Sequence, residues 1–162
     1  MIEFSAGRKI GNVYKANLKK RFFASLMDYL IIFTLTYFYI DYFGHENNNG
    51  GKTVEGIGTL PIVIFWFFYF VFIEALFEGT LGHLALNLKV VTIKREKIGF
   101  IEALKRHLVD PLDFFFFAIP AFISINNSDK HQRIGDMWAK TIVINVNDPE
   151  QYPQENLFNK GL

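Results

Sequence analysis

The sequence predicts an all-α membrane protein, a small polytopic bundle of two full transmembrane helices and a third membrane segment that prolines interrupt. Three apolar blocks lead to this prediction: residues 22–43, 60–77 and 108–125 hold 17 of 22, 16 of 18 and 13 of 18 apolar residues. A bilayer core about 30 Å thick needs roughly 20 apolar residues in a helix, with about 17 as the lower limit. The first two blocks meet this requirement, and a chain of 162 residues has little interior in which to bury two such helices.

The composition excludes several other classes of protein. The chain is 51% hydrophobic with a net charge of +1, which is typical neither of a disordered protein nor of a nucleic-acid-binding one. It has no cysteine, so disulfide frameworks, thiolate metal sites and thiol nucleophiles are excluded. The four histidines have no metal-ligand spacing, and there is no P-loop or nucleophile motif. We therefore expect a protein that is not an enzyme and that carries no cofactor or metal.

The basic residues around the apolar blocks predict the orientation in the membrane. Residues 1–21 and 78–107 carry six Lys or Arg each, whereas residues 44–59 carry one. The positive-inside rule then places the N-terminus and residues 78–107 in the cytoplasm and residues 44–59 outside. Residues 1–20 contain no apolar h-region, so the first block is expected to be an uncleaved anchor of a multi-pass plasma-membrane protein.

The third block leaves two interpretations open. Pro111 favours a helix that begins at residue 111, with Asp110 and Asp113 as capping residues in its first turn. Fifteen residues from 111 to 125 would extend about 22 Å, which is short for a crossing, and Pro120 can bend the helix further. The block either crosses the membrane or enters it and returns.

Two β-branched stretches, residues 86–93 and 141–146, predict a short two-stranded β element on the cytoplasmic side. Because pairing needs both stretches on one side of the membrane, it favours a third segment that returns. We assign residues 1–147 to a single membrane domain and residues 148–162 to a polar C-terminal tail.

Ionisable side chains within and beside the apolar blocks are the candidate functional residues. Asp28 follows Arg21 by seven residues, so the two share a face of the first helix. A carboxylate inside a membrane helix costs on the order of 2.5–3.5 kcal/mol, so Asp28 needs a partner, an aqueous cavity or a proton. It is either a proton or cation site or part of a structural polar network. The other predicted members of a polar cluster near the cytoplasmic interface are Glu74, Glu78, Arg106, Asp113, Arg133 and Asp136.

Four motifs, in order, resemble those of the RDD family, which is named for one arginine and two aspartates. LKKRFFASLMDYLI carries Arg21 and Asp28, and ALKRHLVD carries Arg106. TLGHLALNLKVV resembles a T-P-G-K turn followed by a strand, and RIGDMWAKTIVI resembles R-x-G-D-x-x-A-x-T-x-V-V with Arg133 and Asp136. The resemblance covers roughly residues 15–146.

The resemblance implies a bacterial inner-membrane protein with a suggested part in transport, and some family members are described as cation/proton antiporters. The turn motif contributes Thr80, Gly82 and His83 here, and Leu81 and His83 replace the usual Pro and Lys. If that Lys holds a carboxylate or a lipid phosphate, His83 would hold it more weakly and with pH dependence.

Two functions remain open at this point. The first is movement of a proton, a cation or a small ligand through Asp28 and Arg21, with Asp136 as a partner. Because two or three segments cannot enclose a pathway, this function requires a homo-oligomer or a membrane-protein partner. The alternative is a non-catalytic scaffold or accessory subunit that binds another membrane protein through the aromatic faces of residues 65–77 and 114–117.

Overall fold

The first apolar block forms one continuous helix, α1, Leu18–Phe43. The computed structural model describes residues 13–48, 50–115 and 119–152, together with the short strands β1, Glu3–Phe4, and β2, Arg8–Lys9. At 1.5 Å per residue, the 26 residues of α1 extend about 39 Å, which is long enough to cross a bilayer core. The helix ends where the Gly44 amide donates to the Ile40 carbonyl at 2.8 Å.

The second apolar block, Gly56–Phe77, is helical throughout, but the type of helix changes along it. It follows a small hairpin of β3, His45–Glu46, and β4, Lys52–Thr53. Its four parts are a 3₁₀ turn at Gly56–Thr59, α2 at Leu60–Phe67, a π-helical turn at Phe68–Phe72 and α3 at Ile73–Phe77. Pro61 lies in the first turn of α2, where its missing N–H costs nothing.

Both long helices leave most of their apolar side chains uncovered by the rest of the chain. Tyr37, Phe38 and Ile64, for example, are more than half exposed. Of the described residues, α1 and Gly56–Phe77 form the two helices with the length and hydropathy of a membrane span. The prediction of two such helices is confirmed. An outward apolar surface on both is the surface that lipid tails would cover.

The third predicted membrane segment is a series of short helices, and it begins earlier than expected. The helices are α5 at Phe100–Leu108, α6 at Asp110–Phe115 and α7 at Ile119–Asn127. Helix α6 begins at Asp110, one residue before the expected start at residue 111, and α5 precedes it in the chain. A third membrane-length helix is not found in the described part of the chain. Residues 116–118 lie outside the described residues.

The two β-branched stretches lie side by side. Strand β5, Leu88–Thr92, pairs antiparallel with β6, Thr141–Asn145, with Val90 opposite Val143. Before β5, residues Leu81–Ala85 form the short helix α4, and before β6, residues Ile134–Ala139 form the short helix α8. The paired strands therefore hold the turn motif and the last arginine motif next to each other.

The core joins this β element to the end of α1 that carries the basic residues. Ala24 of α1, Val71 of the π-helical turn, Val90 and Ala103 pack in one apolar cluster. The first residues of the predicted C-terminal tail also pack, because buried Gln151 accepts a hydrogen bond from the Asn145 amide at 3.0 Å. Residues 153–162 of that tail lie outside the described residues.

Candidate functional site

The inner face of α1 is a narrow stripe that carries two charged side chains. Its buried residues are Arg21, Ala24, Asp28 and Ile32, at the three- and four-residue spacing of one helix face. Asp28 is 1% exposed and Arg21 is 7% exposed. The shared face agrees with the spacing, and the guanidinium of Arg21 reaches Asp136.

The carboxylate of Asp28 is held by uncharged donors. The hydroxyl of Tyr69 donates to its Oδ1 at 2.7 Å, and the amide of Gly82 donates to the same oxygen at 2.7 Å. The hydroxyl of Thr80 donates to Oδ2 at 2.5 Å. The titratable base that lies beside it is His83, whose Nδ1 is 3.7 Å from Oδ2. We call Asp28, Tyr69, Thr80, Gly82 and His83 the Asp28 site.

Proton counting assigns the hydrogen bonds between His83, Thr80 and Asp28. Thr80 has a single hydroxyl proton, and it donates that proton to the Asp28 carboxylate. The Nδ1 of His83 lies 2.7 Å from the same hydroxyl oxygen, so while Asp28 is ionised Nδ1 donates and Thr80 accepts. The result is a chain of two hydrogen bonds that runs from the imidazole through the hydroxyl to the carboxylate.

The glycine of the turn motif lets the backbone approach Asp28. A Cβ at Gly82 would lie 2.2 Å from the Ala24 carbonyl oxygen and 2.8 Å from the Asp28 carboxylate. Thr80 begins the turn, and its Oγ1 accepts from the His83 amide at 3.4 Å. A side chain at position 82 would therefore separate α4 from α1 and remove one donor from the Asp28 site.

The π-helical turn directs two polar side chains inward from the second apolar helix. The Ile73 amide bonds to the Phe68 carbonyl, five residues back, which is the pattern of a π-helix. Tyr69 and Glu74, five residues apart, would lie on different faces of a regular α-helix. The wider turn brings both inward, so that Tyr69 reaches Asp28 and Glu74 reaches Arg106.

A second group of buried charges lies beside the Asp28 site. The guanidinium of Arg106, which is fully buried, donates to Glu74 Oε1 at 2.7 Å and also to Asp136. Asp136 further pairs with Arg21 at 2.6 Å and with Arg133 at 3.3 Å. Burial raises the pKa of Asp136, but the three guanidinium groups outweigh it and hold that pKa well below its usual range. We call these five residues the arginine cluster.

His107 and Asp110 extend the arginine cluster. The His107 Nδ1 lies 2.5 Å from Asp110 Oδ2, and its Nε2 lies 3.2 Å from Glu74 Oε2. Burial lowers the pKa of His107, but the two carboxylates outweigh this effect and raise it to about 9. Burial lowers the pKa of His83 below its ordinary value, which Asp28 and Glu74 only partly oppose. The two buried histidines thus shift in opposite directions.

The structure brings most of the predicted site residues together, with two exceptions. Arg21, Glu74, Arg106, Arg133 and Asp136 form one network, and the turn residues surround Asp28. Glu78 lies outside it, because its Oε2 pairs with Lys89 at 2.7 Å.

Asp113 lies next to the network without joining it. Its carboxylate is 3.9 Å from Arg133 Nη1, and neither oxygen has a hydrogen-bond partner among the described residues.

Sequence reasoning missed two members of the site and misread a third. Tyr69 lies inside an aromatic run, where nothing marks it as different from its neighbours. His107 follows Arg106 directly, and that adjacency was the available signal. Asp110, interpreted as a helix cap, instead accepts from His107 and pairs with Arg133 at 2.8 Å.

Two membrane-length apolar helices, with charged side chains buried on their inner faces, define a small helical membrane protein. The chain belongs to the RDD family, whose family model matches residues 15–140, and RDD proteins are membrane proteins. No curated protein and no solved structure matches the chain.

Proposed function

We propose that the protein couples proton transfer at Asp28 to the transport of a cation across the bacterial plasma membrane. The observation that carries the proposal is the hydrogen-bonded chain from His83 through Thr80 to Asp28. Such a chain can pass a proton without moving any heavy atom, because each group that donates a proton on one side receives one on the other.

The transfer balances at every atom. A proton taken up at His83 Nε2 leaves the ring positively charged. The ring then gives its Nδ1 proton to the Thr80 oxygen, while the Thr80 hydroxyl gives its own proton to Asp28 Oδ2. The products are neutral His83, a Thr80 hydroxyl and a protonated Asp28, with the hydrogen bonds of the chain reversed.

The surroundings of Asp28 supply no guanidinium or ammonium counter-charge among the described contacts. Its described hydrogen-bond donors are a phenol, a hydroxyl and an amide, none of which carries charge. A guanidinium in their place would hold the carboxylate ionised, as Arg106 does for Asp136. His83 lies at the outer end of this hydrogen-bonded chain, because it also lines a cavity of about 670 Å³.

The proposal places the N-terminus in the cytoplasm and requires more than one copy of the chain. Six basic residues precede the interior of α1 and six more lie in residues 78–107, on the same side as the site. Two membrane-length helices cannot surround a pathway, so we propose a homo-oligomer.

The test measures proton flux in proteoliposomes that hold a pH-sensitive dye and are energised by a potassium gradient with valinomycin. Asp28→Asn is expected to reduce flux at least tenfold, because the amide cannot accept a proton. Asp41→Asn removes a carboxylate from the same helix, at an exposed position paired with Lys52, and should leave flux unchanged. Flux that survives Asp28→Asn refutes the assignment.

A matched pair at Thr80 tests the chain itself. Thr80→Val keeps the shape of the side chain and removes the hydroxyl, so it should lower flux about as far as Asp28→Asn. Thr80→Ser restores a hydroxyl and should recover most of the flux. Equal flux in the valine and serine variants would mean that protons reach Asp28 by another route.

A scaffold or accessory role is the alternative, and the outward aromatic side chains favour it. Phe65, Phe68 and Phe72 of the second apolar helix are exposed, with the rings of Phe68 and Phe72 4.6 Å apart. The side chains of residues 114–117, the other predicted contact surface, lie outside the described residues. In this case Asp28→Asn lowers the amount of protein in the membrane, and neither it nor wild type carries flux.

A further inference from the structure

A cavity of about 670 Å³ lies between α1 and α7, within the usual size range of ligand pockets. Its walls are apolar, with Phe22, Leu26 and Phe33 from α1 and Phe122 and Ile125 from α7. Phe22, Leu26 and Phe122 are each more than half exposed, so the rim of the cavity continues into the outer apolar surface. Since α1 is of membrane length, an apolar chain could reach this cavity directly from the bilayer.

The polar end of the cavity contains one carboxylate to which the described residues donate no hydrogen bond, and its described ion-pair partner, Arg133 Nη1, is 3.9 Å away. Asp113 is 7% exposed and lines the cavity, yet neither of its oxygens accepts a hydrogen bond from the described residues. The arginines that line the cavity are already paired, Arg21 with Asp136, Arg106 with Glu74, and Arg133 with Asp110. A buried carboxylate without donors is costly, so Asp113 has bonding capacity that the described residues do not use.

We infer that this cavity binds an amphipathic molecule with a primary ammonium head and an apolar chain, and that the ammonium is held by Asp113. An ammonium group supplies positive charge and three N–H donors, which are what the two carboxylate oxygens lack. The apolar walls accept the chain. An anionic head would meet the Asp113 carboxylate and find the arginines occupied. A small metal cation would need several oxygen ligands, and the walls supply carbon.

This inference goes beyond the proposed proton transfer and is tested independently of it. Asp113 is not part of the hydrogen-bonded chain that ends at Asp28. The experiment below measures binding and not flux, so a failed flux assay leaves its result unaffected.

The first experiment measures binding of radiolabelled decylamine to the full-length protein in phosphatidylcholine nanodiscs, with empty nanodiscs as background. Asp113→Asn is expected to weaken binding at least tenfold, because it removes the charge at nearly constant size. Asp129→Asn removes an exposed carboxylate elsewhere and should bind as wild type does. Equal binding by wild type and Asp113→Asn overturns the inference.

Competition identifies the head group that the site recognises. Unlabelled decylamine should displace the probe, whereas decyl phosphate and decanol should not, since one carries the wrong charge and the other none. Displacement by decyl phosphate at the same concentration as by decylamine would show that the arginines, and not Asp113, select the ligand. That result also overturns the inference.

A second variant tests the cavity without changing Asp113, so its result does not depend on whether Asp113→Asn folds. Ala121→Phe fills the cavity from the side of α7 and leaves the carboxylate in place. It should also reduce decylamine binding at least tenfold. Binding that survives a filled cavity places the ligand elsewhere and contradicts the inference. Asp113→Asn itself should fold, because the described residues make no hydrogen bond to the side chain that it replaces.

Native mass spectrometry separates a lipid from a free amine as the source of the ammonium. Protein released from nanodiscs of mixed phosphatidylethanolamine and phosphatidylcholine is expected to retain phosphatidylethanolamine if the ligand is a membrane lipid, and Asp113→Asn should lose it. Decylamine binding without retained phosphatidylethanolamine supports a free lipophilic amine. If the protein neither binds decylamine nor retains phosphatidylethanolamine, the inference is overturned.

Discussion

Asp28 and Asp136 are both buried carboxylates in the same small protein, yet the chain neutralises them in different ways. Asp136 lies among the guanidinium groups of Arg21, Arg106 and Arg133. Asp28 accepts hydrogen bonds from a phenol, a hydroxyl and a backbone amide. Guanidinium groups stay charged at all physiological pH values, so the charge of Asp136 does not change.

The comparison indicates that the two regions have different roles. In the arginine cluster each carboxylate has a permanent counter-charge. This arrangement suits a structural role, in which the ion pairs hold α1, α5 and α8 together. In the Asp28 site, His83 is the described contact of Asp28 whose side chain type ordinarily titrates near neutral pH. A carboxylate next to a histidine can exchange a proton with it, so the charge of the carboxylate can change when the charge of the histidine changes.

The largest effect is expected from breaking the arginine cluster. Asp136→Asn leaves Arg21 and Arg133 without their shared anion and removes one of the two anions of Arg106. Loss of one partner from a buried ionic network costs about 3–5 kcal/mol. We expect a large fall in the unfolding temperature in detergent, measured by intrinsic fluorescence. Asp129→Asn, at an exposed position, should unfold as wild type does, and a stable Asp136→Asn variant would contradict the structural role.

A smaller effect is expected from forcing α4 away from the Asp28 site. In Gly82→Ala the new Cβ would meet the Ala24 carbonyl oxygen at 2.2 Å, so the helices must separate. Overpacking of this kind costs about 1–3 kcal/mol and also removes the Gly82 amide from Asp28. Gly58→Ala is the matched control, because its Cβ would meet only Val54, at an ordinary 3.6 Å. Equal unfolding temperatures for the two variants would show that the close approach is absent in solution.

The smallest effect is expected from titrating the arginine cluster through His107. Its pKa in the folded protein is about 9, above the ordinary value of 6.5, so protonation stabilises the fold. That contribution is complete below about pH 6.5 and is lost as the pH rises through 9. We expect the unfolding temperature of wild type to fall across this window.

The variant His107→Gln separates this effect from the titration of other groups. Glutamine cannot carry the charge, so the slope between pH 6.5 and 9 should largely disappear. His83 does not produce the same slope, because its lowered pKa makes its contribution fade as the pH falls rather than as it rises. An identical slope in wild type and His107→Gln would assign the pH dependence to a different group.

The sequence alone determined the class of the protein, its two long helices and the charged residues of the arginine cluster. Apolar blocks of membrane length and the positions of Arg21, Arg106, Arg133 and Asp136 depend only on local composition and on ordered motifs. These features are local in the sequence, and helical periodicity shows which of their residues share a helix face. The limit of such reasoning is visible in the third block, where the proline signal indicated the start of α6 but not the helix α5 before it.

The pairing of the charges was decided only by the tertiary structure. Periodicity placed Arg21 and Asp28 on one face, but it could not show that Arg21 turns to Asp136, 115 residues away. It also could not show that the π-helical turn directs Tyr69 toward Asp28, or that Gly82 lets α4 approach α1 closely. The physical reason is that a buried charge takes whichever partner the packing of distant segments brings within a few ångströms, and sequence spacing along one helix does not encode that approach.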